Sequence, residues 1–408
     1  MNIAIIIGES NGAYPVPASR GGAITTLVEH IIEKHNEIGD FDMTIMSYHD
    51  EEAERLSKKY PKVTFEWVKV PKILKFFDKI LFFSYTTLFP KKKAISFKSM
   101  FSLLYMIVVC SLRLRHNNYD KVVLQNTILL AWIIKLSKFS GDYFFHFHNV
   151  PRVSAGCKDI FLYCKSIWCI SEFVASQISS ESSAIGIISK EKIKIYKNCI
   201  DTKHFERKVI PEKVTYYMSK YNLTDNDKIV IFVGRFSEEK GCDKLLEALK
   251  YIENENVKIL MVGSLIYNDN NAKDSYNEKL HEYAEKYPNR IIFTGYIPQS
   301  ELPFLYSIAN IAVLPSMWDE PAGLTMIEAM SCGLPVITTK SGGIPEYVGN
   351  NAILLDRDSD IALEIAHNID LLCNDVSMCQ KFSELGTIHI RSEYNLDVYY
   401  SNFCKCLE

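Results

Sequence analysis

Two stretches of this chain combine residue types and spacings suited to gripping a phosphorylated, hydroxyl-rich ligand. The first is Phe232-Val-Gly-Arg-Phe-Ser-Glu-Glu-Lys-Gly241. An apolar run ends at Gly234, Arg235 and then Lys240 follow, and a helical pattern starts after Gly241. Two cations and free backbone N–H groups then lie at the mouth of a strand–loop–helix unit, which suits a diphosphate. The plain alternative is a loop whose Arg235 and Lys240 point to water. The second stretch is Trp318-Asp-Glu-Pro-Ala-Gly-Leu-Thr-Met-Ile-Glu-Ala-Met-Ser-Cys-Gly333. Here Glu320 belongs to a loop, Gly323 lets backbone come close to a ligand, and a helix is predicted from about Leu324 to Ser331. Gly333 ends that helix, and Pro335 blocks its continuation. Its N-terminus is an anion site beside one carboxylate, and Glu328 in the second turn can face the same place. Two carboxylates bracketing such a helix start suit hydroxyl recognition, one for ribose and one for a sugar ring, better than general acid and base work. The plain readings are a loop charge at Glu320 and a solvated helix glutamate at Glu328.

These residues need elements to position them, and the pattern supplies strands alternating with helices. Strand-like runs are Asn2–Ile7, Met43–Tyr48, Val63–Val70, Lys121–Asn126, Tyr143–His148, Ile167–Ser171 and Lys192–Asn198 in the first half. The second half adds Lys228–Gly234, Val257–Gly263, Arg290–Gly295, Ile311–Ser316, Pro335–Thr339 and Ala352–Asp356. Short, nearly all-apolar runs fit parallel strands covered on both faces. Helical periodicity fills the gaps, as in Cys242–Ile252 and Ile361–Leu372. The alternation predicts an α/β chain of two doubly wound domains with right-handed crossovers and a linker near Asp201–Pro211. The boundaries read as 1–203, with a helix at about 390–408 packing back on it, and 204–389. Ligands of such folds bind outside the carboxyl ends of the strands.

From Lys69 to Lys98 the pattern changes to lysines interleaved with Phe76, Phe77, Phe82, Phe83, Tyr85, Phe89 and Phe97. Lys72, Lys75 and Lys79 form one helical stripe and Ile73, Phe77 and Ile80 another, so the segment suits a membrane interface with lysines on anionic lipid. A lid or buried helix with a solvated lysine face is the plain reading. The following run Met100–Leu112 reads as a core helix.

Composition bounds the rest. The chain has 408 residues, 48% hydrophobic and 23% charged, enough for two packed cores. A net charge of −3 exerts no global pull on nucleic acid, so no nucleic-acid partner is expected. Eleven cysteines are scattered along the chain, most of them in apolar runs, and read as reduced, buried thiols of a cytoplasmic protein. Cys404-x-Cys406 lacks the second pair of a zinc site. No window reaches the ~20 apolar residues of a membrane span, and Met1-Asn-Ile-Ala-Ile-Ile-Ile-Gly8 opens on a strand with no basic leader.

The motifs taken together resemble the family-4 retaining glycosyltransferases of GT-B fold. The resemblance rests on Gly234-Arg235…Lys240-Gly241 and on Glu320-Pro-x-Gly-Leu…Glu328-Ala-Met-x-x-Gly-x-Pro-Val. It extends to Gly342-Gly-Ile-Pro-Glu346, to Phe293-Thr-Gly-Tyr296 with Glu301 and Pro315-Ser316, and to Ile170-Ser-Glu-Phe173. It also takes in Asn198-Cys-Ile-Asp201…Phe205, Arg20-Gly-Gly22 and His148-Asn149, and so covers essentially the whole chain. It implies two Rossmann-like domains facing across a cleft and a nucleotide-sugar donor, with a UDP-sugar the expectation. On this resemblance Arg235 and Lys240 neutralise the leaving diphosphate, a contribution on the order of 3–4 kcal/mol for a single donor. Gly234 and the backbone at Gly323 and Leu324 approach the phosphates, and Tyr296 belongs to the nucleotide-base segment. Glu328 takes ribose hydroxyls and Glu320 those of the donor sugar. His148 reaches the donor sugar from the N-terminal domain, and Gly21 and Gly22 bring backbone to acceptor and phosphate. A satisfied strand histidine, paired with His146, is the plain reading of His148.

Two departures stand out. Cys199 replaces a usual Gly, a matter of packing. Ala322 replaces a frequent Phe and puts donor identity in doubt, not the activity. Retention of configuration comes from the resemblance alone. Asp356-Arg-Asp358 has the form of a metal-binding pair, but a helix start follows it, so both aspartates are expected to cap that helix. With two cations placed for the phosphates, no metal and no cofactor are expected. The resulting expectation is a cytoplasmic enzyme, held peripherally at the cytoplasmic face of an anionic membrane. It would move a sugar onto a growing lipopolysaccharide, capsule or lipid-linked glycan. The rival readings are a sugar-nucleotide epimerase on the same fold, a non-catalytic nucleotide-sugar-binding protein, and a transferase with a soluble acceptor.

Overall fold

The computed structural model describes residues 1–88, 97–264 and 275–408. Two compact units divide the chain: Met1–Asn198 with Tyr399–Glu408, and Cys199–Val398.

The first unit is built on β1 (Asn2–Ile7), β2 (Asp42–Tyr48), β3 (Val63–Val68), β4 (Lys121–Gln125), β5 (Asp142–Phe147), β6 (Ser166–Cys169) and β7 (Ile193–Ile195). They form one sheet in the order β3-β2-β1-β4-β5-β6-β7, with every pairing parallel. Ile3 to Ile7 are wholly buried, as a parallel strand covered on both faces requires. The second unit holds β8 (Lys228–Val233), β9 (Val257–Val262), β10 (Ile291–Gly295), β11 (Ile311–Leu314), β12 (Val336–Thr339) and β13 (Ile353–Leu355). Its sheet runs β10-β9-β8-β11-β12-β13, again parallel throughout. Each strand lies on a predicted apolar run, with ends trimmed in most and with β2, β5 and β6 beginning one residue earlier than the run. In each unit the chain order reverses at one point, between β1 and β4 and between β8 and β11, the point at which ligands of open α/β sheets bind, outside the carboxyl ends of the strands.

Helix α1 (Ala23–Ile38) buries Leu27, Val28, Ile31 and Ile32 on one stripe, the spacing of an amphipathic helix. Helix α2 (Glu51–Ser57) is capped by Asp50, whose carboxylate accepts from the Ala53 N–H. Helix α3 (Lys72–Leu88) carries a single buried residue, Asp78. Its carboxylate accepts from the N–H groups of Phe101 and Ser102, at 2.7 and 3.2 Å, and from the Ser102 hydroxyl at 2.5 Å. Asp78 therefore caps helix α4 (Met100–His116) across a tertiary contact, satisfying donors that Ser99 leaves open. Helix α4 is not the core helix its apolar run suggests. It buries Leu103, Met106, Ile107 and Cys110, but Phe101, Leu104, Val108 and Leu112 are exposed.

The eleven cysteines are free thiols, eight of them buried. Among the described residues no helix is long and apolar enough to cross a membrane.

Candidate functional site

In the second unit the site grows from the reversal between β8 and β11. Past β8, the Gly234 N–H donates to the Val262 carbonyl at 3.0 Å, so the chain stays against β9 for one more residue. Gly263 there has φ +139°, and a Cβ on it would lie 1.9 Å from the Gly234 oxygen. Arg235 follows, half-exposed, its guanidinium 3.9 Å from Glu239. The chain then makes a 3₁₀ turn over Glu238–Lys240 that ends on Gly241 at φ +65°. A Cβ at Gly241 would meet the Pro315 carbonyl at 2.1 Å. Only glycine lets this turn press onto the end of β11, and that contact sets the position of Lys240.

The Lys240 ammonium donates to Glu320 Oε2 at 2.5 Å. The same carboxylate accepts from Trp318 Nε1 at 2.9 Å and from the Ser316 hydroxyl at 3.4 Å. Its backbone is fixed as well: the Gly343 N–H donates to the Glu320 carbonyl at 2.7 Å. Gly342, at φ +54°, approaches so closely that a Cβ would lie 2.4 Å from that oxygen. Next to it, Asp319 is held by Arg357 at 2.7 Å. That pair corrects the expectation for Asp356-Arg-Asp358. Asp360, not Asp356 or Asp358, caps the following helix through the Leu363 N–H, Asp356 pairs with Lys340 at 2.9 Å, and the middle arginine braces the Glu320 loop. The helix starts at Ile361, and Asp360 is the residue immediately before it.

Helix Leu324–Ser331 opens beside this loop. Gly323 stands at its N-cap with no side-chain cap, and the first turn holds no acid, so its positive end is open to an anion. Ala322 is buried, as are Met326 and Ile327 behind it. Glu328 is neither solvated nor on the surface. It is buried, with the Tyr306 hydroxyl 3.4 Å from its carboxylate. Burial pushes its carboxyl up to about 8, against the opposing hydrogen bonds from Gln299 and Tyr306. Tyr296 follows β10 and is half-buried, and Glu301 is taken up by Lys213 and Tyr217 at 2.8 and 2.7 Å. Tyr306, Gln299 and Gly263 support the site without a motif to announce them, and the contact of Trp318, the first residue of the second stretch, with Glu320 is legible only once the packing is known.

In the first unit, Gly21 and Gly22 have φ +73° and +109° and lead into α1, whose first turn again has no acid and no side-chain cap. The Thr25 hydroxyl donates to the carbonyls of both, and Asp50 ties down the preceding Ser19 and Arg20 at 2.8 and 2.5 Å. His148 follows β5. Its N–H donates to Asn126 Oδ1 at 3.1 Å, and its Nε2 lies 3.4 Å from Gln125 Oε1. His146 shares that amide oxygen at 3.0 Å, and the two imidazoles are 4.1 Å apart. Burial pushes His148 down to about 3, against a hydrogen bond with Asn198. It is neutral across the physiological range and can offer a hydrogen bond but not a proton switch. The structure thus gathers Gly234, Arg235, Lys240, Glu320, Ala322, Gly323, Leu324 and Glu328 in the second unit. Gly21, Gly22 and His148 stand at the carboxyl edge of the first unit's sheet.

The chain has counterparts among known proteins. Residues 215–388 match the family described as Glycosyl transferases group 1. The putative glycosyltransferase YtcC of Bacillus subtilis is 24% identical, over 96% of this chain and 88% of its own. The capsular polysaccharide biosynthesis glycosyltransferase CapM of Staphylococcus aureus is 25% identical, over 67% of this chain and 69% of its own. Among solved structures, Anabaena Alr3699/HepE in complex with UDP superposes with a TM-score of 0.72 at 17% identity, covering all of this chain and 99% of that one. The fold is therefore GT-B, two Rossmann-like α/β domains over the whole length. Residues 215–388 form a glycosyl transferases group 1 domain whose relatives include capsule and lipopolysaccharide enzymes.

Proposed function

We propose that this chain transfers a sugar, with retention and without a metal, from a nucleotide-sugar to a growing cell-surface glycan on a lipid carrier. The observation that carries the reading is the Lys240–Glu320 contact at the sheet reversal of the second unit, beside the uncapped start of helix Leu324–Ser331. A diphosphate set there meets Lys240, the half-exposed Arg235 and the helix terminus together. As the bond from the anomeric carbon to the diphosphate breaks, its electron pair goes to the phosphate oxygen. Fixed cations stabilise that growing charge in place of a metal. The acceptor oxygen bonds the anomeric carbon and passes its proton to the departing diphosphate oxygen. Glu320, released from Lys240 by the phosphate, takes hydroxyls of the donor sugar, and Glu328 takes those of the ribose. His148 contributes a neutral hydrogen bond to the sugar. A UDP-sugar is the donor favoured, in keeping with the UDP held by the Anabaena neighbour.

The membrane part of the reading is supported by α3 and α4. Ile73, Phe76, Phe77, Ile80 and Phe83 on α3 and Phe101, Leu104, Val108 and Leu112 on α4 are all exposed among the described residues, an apolar face of the kind that marks an interaction surface. Exposed Lys72, Lys75 and Lys79 flank it, the charge sign that an anionic lipid surface attracts. Lys91, Lys92 and Lys93 and Phe89 lie outside the described residues. The proposed site of action is the cytoplasmic face of the membrane.

The test is a screen of sugar nucleotides by nucleotide release, with and without a membrane extract, in buffer and in EDTA. Release from one donor, stimulated by extract and surviving EDTA, is the expected result. Interconversion of donors without extract would establish the epimerase instead. Loss on chelation, restored by Mg²⁺ or Mn²⁺, would sink the metal-free mechanism.

A further inference from the structure

The loop that ends at Glu320 is gripped along its whole length. At one end, the hydroxyls of Thr339 and Ser341 both donate to the Ser316 carbonyl, at 2.5 and 2.8 Å. At the other, the Gly343 N–H donates to the Glu320 carbonyl at 2.7 Å. The middle belongs to Arg357, which follows β13 by two residues. One guanidinium nitrogen donates to the Met317 carbonyl at 3.4 Å and the other to Asp319 Oδ1 at 2.7 Å. Trp318 lies between those two contacts in the chain, and its indole N–H donates to Glu320 Oε2 at 2.9 Å. The Met317 N–H, for its part, donates to the Glu239 carbonyl at 2.8 Å, inside the turn that carries Lys240.

Arg357 stands on an anchored stretch. The Lys340 N–H donates to the Leu355 carbonyl and the Lys340 ammonium pairs with Asp356, each at 2.9 Å, so the end of β13 is tied to the end of β12. A guanidinium is a planar, permanently charged fork that holds two acceptors in one orientation. Its ion pair here is part-exposed, 32% for the arginine side chain and 53% for the aspartate, and pairs so exposed add little to stability. What the fork supplies is a fixed geometry for Met317–Asp319 and, through the Trp318 indole, for the Glu320 carboxylate. Its hydrogen bonds go to this loop, whereas Lys240, Arg235 and Glu328 are the side chains that meet the nucleotide on the proposed reading.

We propose that Arg357 is a positioning residue that sets the Glu320 carboxylate, through Met317, Asp319 and the Trp318 indole, for the hydroxyls of the donor sugar and not for the nucleotide. The assignment rests on the transferase reading and separates within it the part of donor recognition that belongs to the sugar. The donor is first fixed as the sugar nucleotide from which the unaltered protein, with membrane extract present, releases nucleotide in a panel of UDP-glucose, UDP-galactose, UDP-N-acetylglucosamine, GDP-mannose and ADP-glucose. Arg357→Gln, Asp319→Ala and the double variant are then compared by kcat/KM for that donor and by calorimetric binding of its nucleoside diphosphate. Each single variant is expected to lose about tenfold in kcat/KM, within the roughly hundredfold that a misplacement of about 1 Å costs. Diphosphate affinity and melting temperature should stay those of the unaltered protein. Because both changes break one contact, the double variant should lose no more than either single one. Unchanged kcat/KM in Arg357→Gln would overturn the assignment while leaving the transferase reading intact. A diphosphate affinity that falls in step with kcat/KM would overturn it too, as the sign of a unit loosened as a whole. So would losses that multiply in the double variant, since Asp319 and Arg357 would then act separately. Release from no donor of the panel by the unaltered protein would instead remove the transferase reading, and this assignment with it.

Discussion

Lys240 and Glu320 hold each other at 2.5 Å, so a phosphate entering the second unit must compete with a carboxylate already in place. Removing the cation removes the leaving-group contact and leaves Glu320 to Trp318 and Ser316. Lys240→Ala is expected to cut turnover at least ~100-fold, the loss seen when one preorganised electrostatic donor is deleted, with circular dichroism unchanged; Arg235→Ala should behave alike. Near-normal turnover at saturating donor in either variant would refute the diphosphate assignment. Glu328 makes a different prediction, because burial raises its carboxyl to about 8. At pH 7 the empty site holds it protonated. Ribose hydroxyls donate best to the ionised form, so nucleotide binding should expel a proton. UDP affinity is therefore expected to rise between pH 6 and 8, by up to about tenfold per unit, and level off above; Glu328→Gln should flatten the slope. The same raised carboxyl stabilises the fold fully below about 4.5 and loses that contribution as pH climbs through about 8. The melting temperature of Glu328→Gln should accordingly gain on that of the parent as pH rises. A UDP affinity flat from pH 6 to 8.5 would show that Glu328 does not meet the nucleotide.

At the scale of elements, the strands were legible and the surfaces were not. Runs such as Ile3–Ile7 and Ile229–Val233 are continuous apolar segments between turn residues, and each became a buried parallel strand. The site motifs were legible because glycines mark close approaches, as Gly241 and Gly342 do. What periodicity could not supply was which side chains a helix would bury. Glu328 reads as an ordinary helix glutamate until the helix Leu302–Ile308 brings Tyr306 against it. Helix α4 is apolar nearly all round, so its exposed stripe emerges only when α3 covers part of it through Asp78. That stripe gives the prediction of this scale. Each lysine near an anionic surface contributes about 1 kcal/mol, and that share is screened over about 10 Å at 0.1 M salt. Burial of the exposed phenylalanines is not screened. The protein is expected to sediment with anionic but not neutral liposomes, weakened by salt and by Lys72, Lys75 and Lys79→Gln. Equal binding to neutral liposomes would replace attraction with insertion, and binding to neither would return the α3–α4 face to a lid.

At the scale of the molecule, the two units are built differently: Cys199–Val398 is one continuous segment, whereas the first unit needs the chain to come back at Tyr399. The returning residues complete a core. Tyr399 stacks on Tyr196 at 4.5 Å, and Phe403, wholly buried, meets Trp168 edge-on at 5.8 Å. The Tyr400 hydroxyl lies 2.7 Å from His35 Nδ1, and the Leu407 carbonyl accepts from Lys121 at 2.5 Å. Removing one buried aromatic of this kind costs about 3–5 kcal/mol, a large share of the 5–15 kcal/mol that holds a typical domain. Deletion of Tyr399–Glu408 is therefore expected to unfold or strongly destabilise the first unit while the second keeps its own transition. Calorimetry should show a component lost or moved to lower temperature, with UDP binding, which belongs to the second unit on the proposed reading, still measurable. Phe403→Ala should move the same component part of the way. If the deletion lowers both transitions together, the units fold as one cooperative body. If it lowers neither, the aromatic cluster around Trp168 and Tyr196 closes without the tail and the returning segment contributes no stability.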